Sequence, residues 1–136
     1  MTHQNVTETY NTKAAQDIEM GLVVTDKGYV ANGFPAPGTI GNVMGVADYS
    51  VVSGEMVLLN TRGVVESQVG AQVGQYDELT ITGTDYSTST IGNEASALTV
   101  DGNGRLISAG TEETYAKLQP TEYAYEAGDT ASVTIY

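Results

Sequence analysis

The stretch Met56-Val57-Leu58-Leu59-Asn60-Thr61-Arg62-Gly63-Val64-Val65-Glu66-Ser67-Gln68-Val69 decides the fold class. Met56 to Asn60 is a compact apolar run of strand length. Thr61-Arg62-Gly63 offers turn residues, and Val64 to Val69 reads as a returning strand. The pattern predicts a hairpin-rich meander.

The same signals recur outward from it. Toward the N-terminus, Asn42 to Ala47 is a buried-type strand, and Asp48 to Ser53 lead into Gly54-Glu55. Before that, Asp17 to Val24 and Tyr29-Val30-Ala31 are strand-like, joined by the turn Asp26-Lys27-Gly28. The segment Asn32 to Gly38 holds Pro35 and Pro37, which cannot donate to a ladder, so it is an exposed or edge loop.

Toward the C-terminus, Gly70 to Gly74 is a joint, and Tyr76 to Thr82 alternates with period two, which sets Leu79 and Ile81 on one face. The Ser/Thr-rich stretch Gly83 to Asn93 reads as a surface loop. Ala97 to Val100 and Arg105 to Ser108 flank Asp101-Gly102-Asn103-Gly104, the clearest hairpin signal in the chain. Thr111 to Gln119 is the one helix candidate, with Thr111 as cap and Pro120 as stop, or else a strand. Thr130 to Tyr136 is a terminal strand with Val133 and Ile135 on one face. The expectation is an all-β domain over 17–136, a small β-barrel or β-sandwich (β-tulip-like) with at most one short helix.

Residues 1–16 are polar and without periodicity, and they read as an extended N-terminal arm, either frayed or ordered on a partner by strand addition. A short pattern repeats. Val52-Ser53-Gly54-Glu55-Met56-Val57 is similar to Glu126-Ala127-Gly128-Asp129-Thr130-Ala131, with Gly74-Gln75-Tyr76-Asp77 a looser copy. A repeated turn type accounts for it without internal duplication.

The 136 residues fit one domain, and the 16 glycines and 9 tyrosines favour strands and tight turns. With no cysteine, disulfides and thiolate chemistry are excluded. No apolar run reaches the roughly 18 residues of a membrane span. The first residues resemble no secretion signal, so the expectation is synthesis in a cytoplasm as a nearly complete chain. The net charge of -12, with 5 basic residues scattered singly, argues against binding nucleic acid or an anionic membrane. The acidity fits a soluble unassembled protein, a basic partner surface, or adaptation to salt.

Little in the chain suggests catalysis. The one histidine, His3, lies in the arm, where a nucleophile–base pair has no rigid support. Asp77-Glu78 are strand neighbours that point to opposite faces, and Glu112-Glu113 suit a helix start. Asp101-Gly102-Asn103-Gly104 lacks the ligand spacing of a calcium loop, and no phosphate-cradling or dinucleotide glycine motif is present. No cofactor or metal is expected. Asn5-Val6-Thr7 matches a glycosylation acceptor by chance.

The order Ile18 to Val24, Met44-Gly45-Val46-Ala47, Ser53-Gly54-Glu55-Met56-Val57, Arg62-Gly63-Val64-Val65, Gly104-Arg105-Leu106 and Ala127-Gly128-Asp129-Thr130-Ala131-Ser132-Val133 resembles the small head-decoration, or capsid cement, proteins of tailed phages and related viruses. The resemblance covers roughly 17–136 and consists of turn-plus-strand signals. The higher tyrosine content and the 83–96 stretch depart from the family pattern. It implies a non-enzymatic homotrimer on the outer surface of the virion, bound to the major capsid protein lattice, with the arm (Val6, Thr7, Thr9, Tyr10) pairing with capsid strands. Phe34, Pro35, Pro37, Tyr49, Tyr123 and Tyr125 are then candidate interface residues, and Tyr10 and Tyr136 are further exposed anchors. Two alternatives are a virion fibre, tail or adhesin module that binds a receptor or glycan, and a small hydrolase with a carboxylate pair.

Overall fold

A computed structural model describes residues 8–35, 38–92 and 96–136. The described residues are all-β with no helix. Eleven strands follow in order: β1 (Glu8–Lys13), β2 (Val23–Thr25), β3 (Val43–Ala47), β4 (Met56–Gln68), β5 (Val73–Thr82), β6 (Asp85–Gly92), β7 (Ala97–Val100), β8 (Leu106–Ser108), β9 (Ala116–Leu118), β10 (Tyr123–Ala124) and β11 (Thr130–Ile135).

Eight strands form one sheet in the order β2-β3-β4-β11-β9-β7-β8, with β1 also on β4. This sheet almost closes into a barrel. The Val23 amide donates to the Gly104 carbonyl at 2.8 Å, and the Gly70 amide donates to Leu106 at 2.8 Å. β10, β5 and β6 form a separate three-stranded sheet.

The stretch that decides the fold class does so differently from the expected hairpin. Met56 to Gln68 is one long strand, and Thr61-Arg62-Gly63 is not a turn. Gly63 has φ +105°, and the strand changes partners there. Met56 to Arg62 pair with β1, whereas Gly63 to Gln68 pair with β11. β3 takes the other edge at Leu59 and Asn60. On that same side the Gln68 amide donates to Gly21. β1 and β11 therefore lie end to end along one edge of β4.

This arrangement explains why the arm begins inside the domain. β11 covers the β4 edge only from Gly63 onward, so every other amide from Met56 to Arg62 would be left open on that edge. Glu8–Lys13 fills that gap, with Thr9 opposite Asn60 and Tyr10 opposite Leu59. Thr12 Oγ1 donates to the Asp26 carbonyl at 3.0 Å, and Ala14 is buried with its amide on Glu55. The expectation that all of 1–16 is a separate arm is thus corrected for 8–14. The arm residues Val6 and Thr7 lie outside the described residues.

One open alternative is decided and one expectation changes. Thr111 to Gln119 contains β9, not a helix. Ala116 and Leu118 are buried while Lys117 is exposed, and the segment pairs with β11 on one edge and β7 on the other. Filling that ladder outweighs the weak helix signals, and Glu112 accepts the Gly110 amide instead of opening a helix. The expected loop 83–93 is largely β6, paired along its length with β5. The turn between them is the two-residue Gly83-Thr84, and Gly83 at φ +64° supplies the positive φ that such hairpins favour.

The repeated pattern is one turn used twice. Val52 N–H donates to Glu55 Oε1 and Glu55 N–H to the Val52 carbonyl. Glu126 and Asp129 make the same reciprocal pair.

The core has two parts. Ala14, Ile18, Val24, Ala47, Val51, Val57 and Leu59 form the smaller cluster. Val69, Leu98, Leu106, Val133 and Ile135 belong to the larger one. The Phe34 and Tyr115 rings pack on the larger cluster, 5.1 Å apart and edge to face.

The Tyr115 hydroxyl is buried and has no hydrogen-bond partner among the described residues. Burial pushes its pKa well above the usual phenol value. A Tyr115→Phe chain keeps the ring and drops an unsatisfied group, so it should be more stable by about 1 kcal/mol in urea melts at neutral pH. The folded pKa is raised, so the wild type loses stability as pH rises past the unfolded value near 10, and the variant should lose less there. A less stable variant would show that the hydroxyl is satisfied.

Candidate functional site

The β5–β6 hairpin leaves the body of the protein at two glycines. Gly74 has φ +81° and Gly92 has φ +101°, and a Cβ on Gly92 would collide with the Gly74 carbonyl oxygen. A Cβ on Gly74 would collide with the Glu122 carbonyl on the strand segment beside it. Only glycines permit this close approach at the base. Val73 and Gly74 are buried, whereas every residue from Asp77 to Thr90 is exposed. From Gln75 to the turn the hairpin extends about 26 Å at ~3.3 Å per residue.

The register assigns its faces. One face carries Gln75, Asp77, Leu79 and Ile81, opposite Gly92, Thr90, Thr88 and Tyr86. Leu79, Ile81 and Tyr86 are 58%, 69% and 78% exposed. Below them Thr90 Oγ1 donates to Asp77 Oδ1 at 3.0 Å. The reverse face carries Glu78, Thr80 and Thr82 opposite Ser89, Ser87 and Asp85. Asp77 and Glu78 thus lie on opposite faces, as their adjacency requires.

At the base, the reverse face starts with Tyr76, which joins Tyr123 and Tyr125. Ring centroids are 4.8 Å apart for Tyr76–Tyr123, 5.0 Å for Tyr76–Tyr125 and 5.2 Å for Tyr123–Tyr125. β10 brings the last two there by pairing with Val73 and Gly74. The hydrogen bond with Tyr123, then desolvation, raises the pKa of Tyr125. The rings pin the hairpin base to β10, and Tyr123 and Tyr125 remain 40% and 56% exposed.

The other expected interface residues do not join this cluster. Phe34 packs on the core beside Tyr115 and is only partly accessible. Pro35 is exposed after a cis peptide bond, and Pro37 lies outside the described residues. Tyr49 is exposed, with its hydroxyl donating to the Met56 carbonyl at 3.2 Å. Thr9 and Tyr10 are exposed on β1. Tyr136 is exposed and faces the Lys117 ammonium, 5.5 Å from the ring centre.

An open cleft of about 630 Å³ runs past Asp17, Glu19, Asn103 and Arg105. Several of its polar groups are already engaged. Arg105 Nε donates to Gln68 Oε1 at 3.0 Å, and Gln68 Nε2 donates to Glu19 Oε2 at 3.1 Å. The Asp101 carboxylate accepts the amides of Asn103 and Arg105 and so serves the turn. His3 is outside the described residues. Among the described residues, no three or more His, Asp or Glu side chains converge as a metal site would require.

No protein-family model matches the chain, and no curated protein is significantly similar to it in sequence. Sequence reasoning missed Tyr76, Leu79, Ile81 and Tyr86 as surface residues. The alternation of 76–82 marked a strand, and Thr-rich 84–90 with Gly83 in front was the available sign of its partner.

Proposed function

We propose that this chain is a structural binding protein that decorates the outer surface of a viral capsid and catalyses nothing. In this reading it binds the major capsid protein, as a homotrimer, in the assembled virion. The observation that carries the reading is a barrel-like all-β body with a hairpin projecting from it, whose Leu79, Ile81 and Tyr86 side chains face solvent. A surface of that kind suits contact with a larger protein surface. Exposed tyrosines at the hairpin base add anchors of the type that dominate interfaces. The resemblance of residues 17–136 to cement proteins supplies the lattice. On a lattice, many modest contacts gain strength when subunits are linked. The charge of -12 suits a protein that meets the shell from outside and leaves the packaged nucleic acid alone.

Purified protein added to heads that lack it should saturate at a fixed ratio to the major capsid protein and raise the temperature at which the heads release their DNA. The absence of saturable binding would end this reading, and binding only to host cells or glycans would replace it with the adhesin one.

A further inference from the structure

We infer that the hairpin face bearing Leu79, Ile81 and Tyr86 is the docking surface for a protein patch that combines an apolar depression with lysine or arginine side chains. This inference rests on the capsid reading, in which the patch belongs to the shell.

The hairpin has no core of its own. A two-stranded ribbon is marginal in water without a face to bury. Here both faces beyond the base are exposed. Ile81 and Tyr86 are a directly opposed pair, and Leu79 lies next to them along the same face. Single exposed apolar residues are ordinary, but three contiguous ones at the end of a projection are not. Burying them would supply the stabilisation that the ribbon lacks.

Charge selects the occupant. Asp77 borders the apolar group on its own face, and Glu78 and Asp85 flank it on the reverse. No Lys or Arg occurs between Arg62 and Arg105. Two copies meeting through this hairpin would bring only carboxylates together, on chains that each carry -12. Like charges brought together oppose binding, whereas a cationic rim would be attracted and steered. A basic partner surface is therefore favoured over a second copy.

The test uses the full chain and heads stripped of it. Leu79→Ser/Ile81→Ser/Tyr86→Ser should bind at least about 30-fold more weakly than wild type, as loss of central anchors predicts. Ile81→Lys, which keeps a long side chain on the strand, should lose as much because it opposes a cationic rim. Asp77→Asn/Glu78→Gln/Asp85→Asn should bind about 5–10-fold more weakly at about 50 mM salt and close to wild type at about 500 mM. All three variants should melt as wild type does, because the changed side chains lie outside both cores.

If the wild type binds and the triple serine and lysine variants bind equally well, the docking surface is wrong while the capsid reading stands. If the wild type itself does not bind heads, the capsid reading falls and this inference falls with it. If wild type self-associates in sedimentation and Ile81→Lys abolishes that, the occupant is a second copy and the basic partner is refuted.

Discussion

A Gly104→Val chain should melt about 10–20 °C below the wild type. Gly104 stands where the main sheet nearly closes, and its carbonyl accepts the Val23 amide. Its φ is +73°, and an added Cβ would come within 2.5 Å of Val30 Cγ1 and 3.0 Å of the Val23 carbonyl. A β-branched residue held at that φ costs about 1–3 kcal/mol. Overpacking against Val30 and Val23 adds about 1–3 kcal/mol. Together these approach half the stability of an ordinary domain, which is about 5–15 kcal/mol. Gly102 is the internal control. It lies in the same turn, its φ is not positive, and nothing lies within 4 Å of its Cβ position. Gly102→Ala should stay within about 0.5 kcal/mol of wild type. Equal melting of the Gly104 and Gly102 variants would show that closure at Val23 does not hold the barrel-like sheet together.

That contrast also shows which parts of the fold were legible. The β7–β8 hairpin is encoded locally, since Asp101 to Gly104 hold turn chemistry between two apolar runs and the Asp101 amide reaches the Arg105 carbonyl. β3 and β11 were legible for the same reason, each being a strand-length run with Gly or Asp at its border. β4 was not. Thr61-Arg62-Gly63 has turn composition, but Gly63 serves as the bend at which β11 takes over from β1, and that depends on residues more than fifty positions away. The arm and the helix candidate have the same explanation. Glu8–Lys13 and Ala116–Leu118 are strands because open edges of β4, β7 and β11 lie next to them. At the site, period two put Leu79 and Ile81 together on one face. Their exposure could not be read from it, because exposure depends on whether another layer covers that face. Tyr123 and Tyr125 stood out by composition. Their third partner, Tyr76, is set by the β10–β5 register.

Gly92→Val should separate the hairpin from the body in function while leaving the body folded. The new side chain would meet the Gly74 carbonyl at φ +101°, so β6 must shift or peel away from β5 at its base. The Tyr76 ring would then lose its fixed place between Tyr123 and Tyr125. The residues that would move belong to neither core cluster, and Asp77 to Thr90 are all exposed. The melting temperature should therefore change by no more than about 5 °C, in line with a loss of roughly 1 kcal/mol. Binding to stripped heads should fall by about 100-fold or more, because the apolar tip and its carboxylates are displaced together and an anchor held even slightly out of register loses its pocket. Leu106→Ala gives the opposite pattern. Leu106 is fully buried in the larger core, so its truncation should cost about 2–5 kcal/mol while surviving folded molecules bind normally. A Gly92→Val chain that melts and binds as the wild type does would mean that the base tolerates a side chain, and that the hairpin is not held in a set direction by its two glycines.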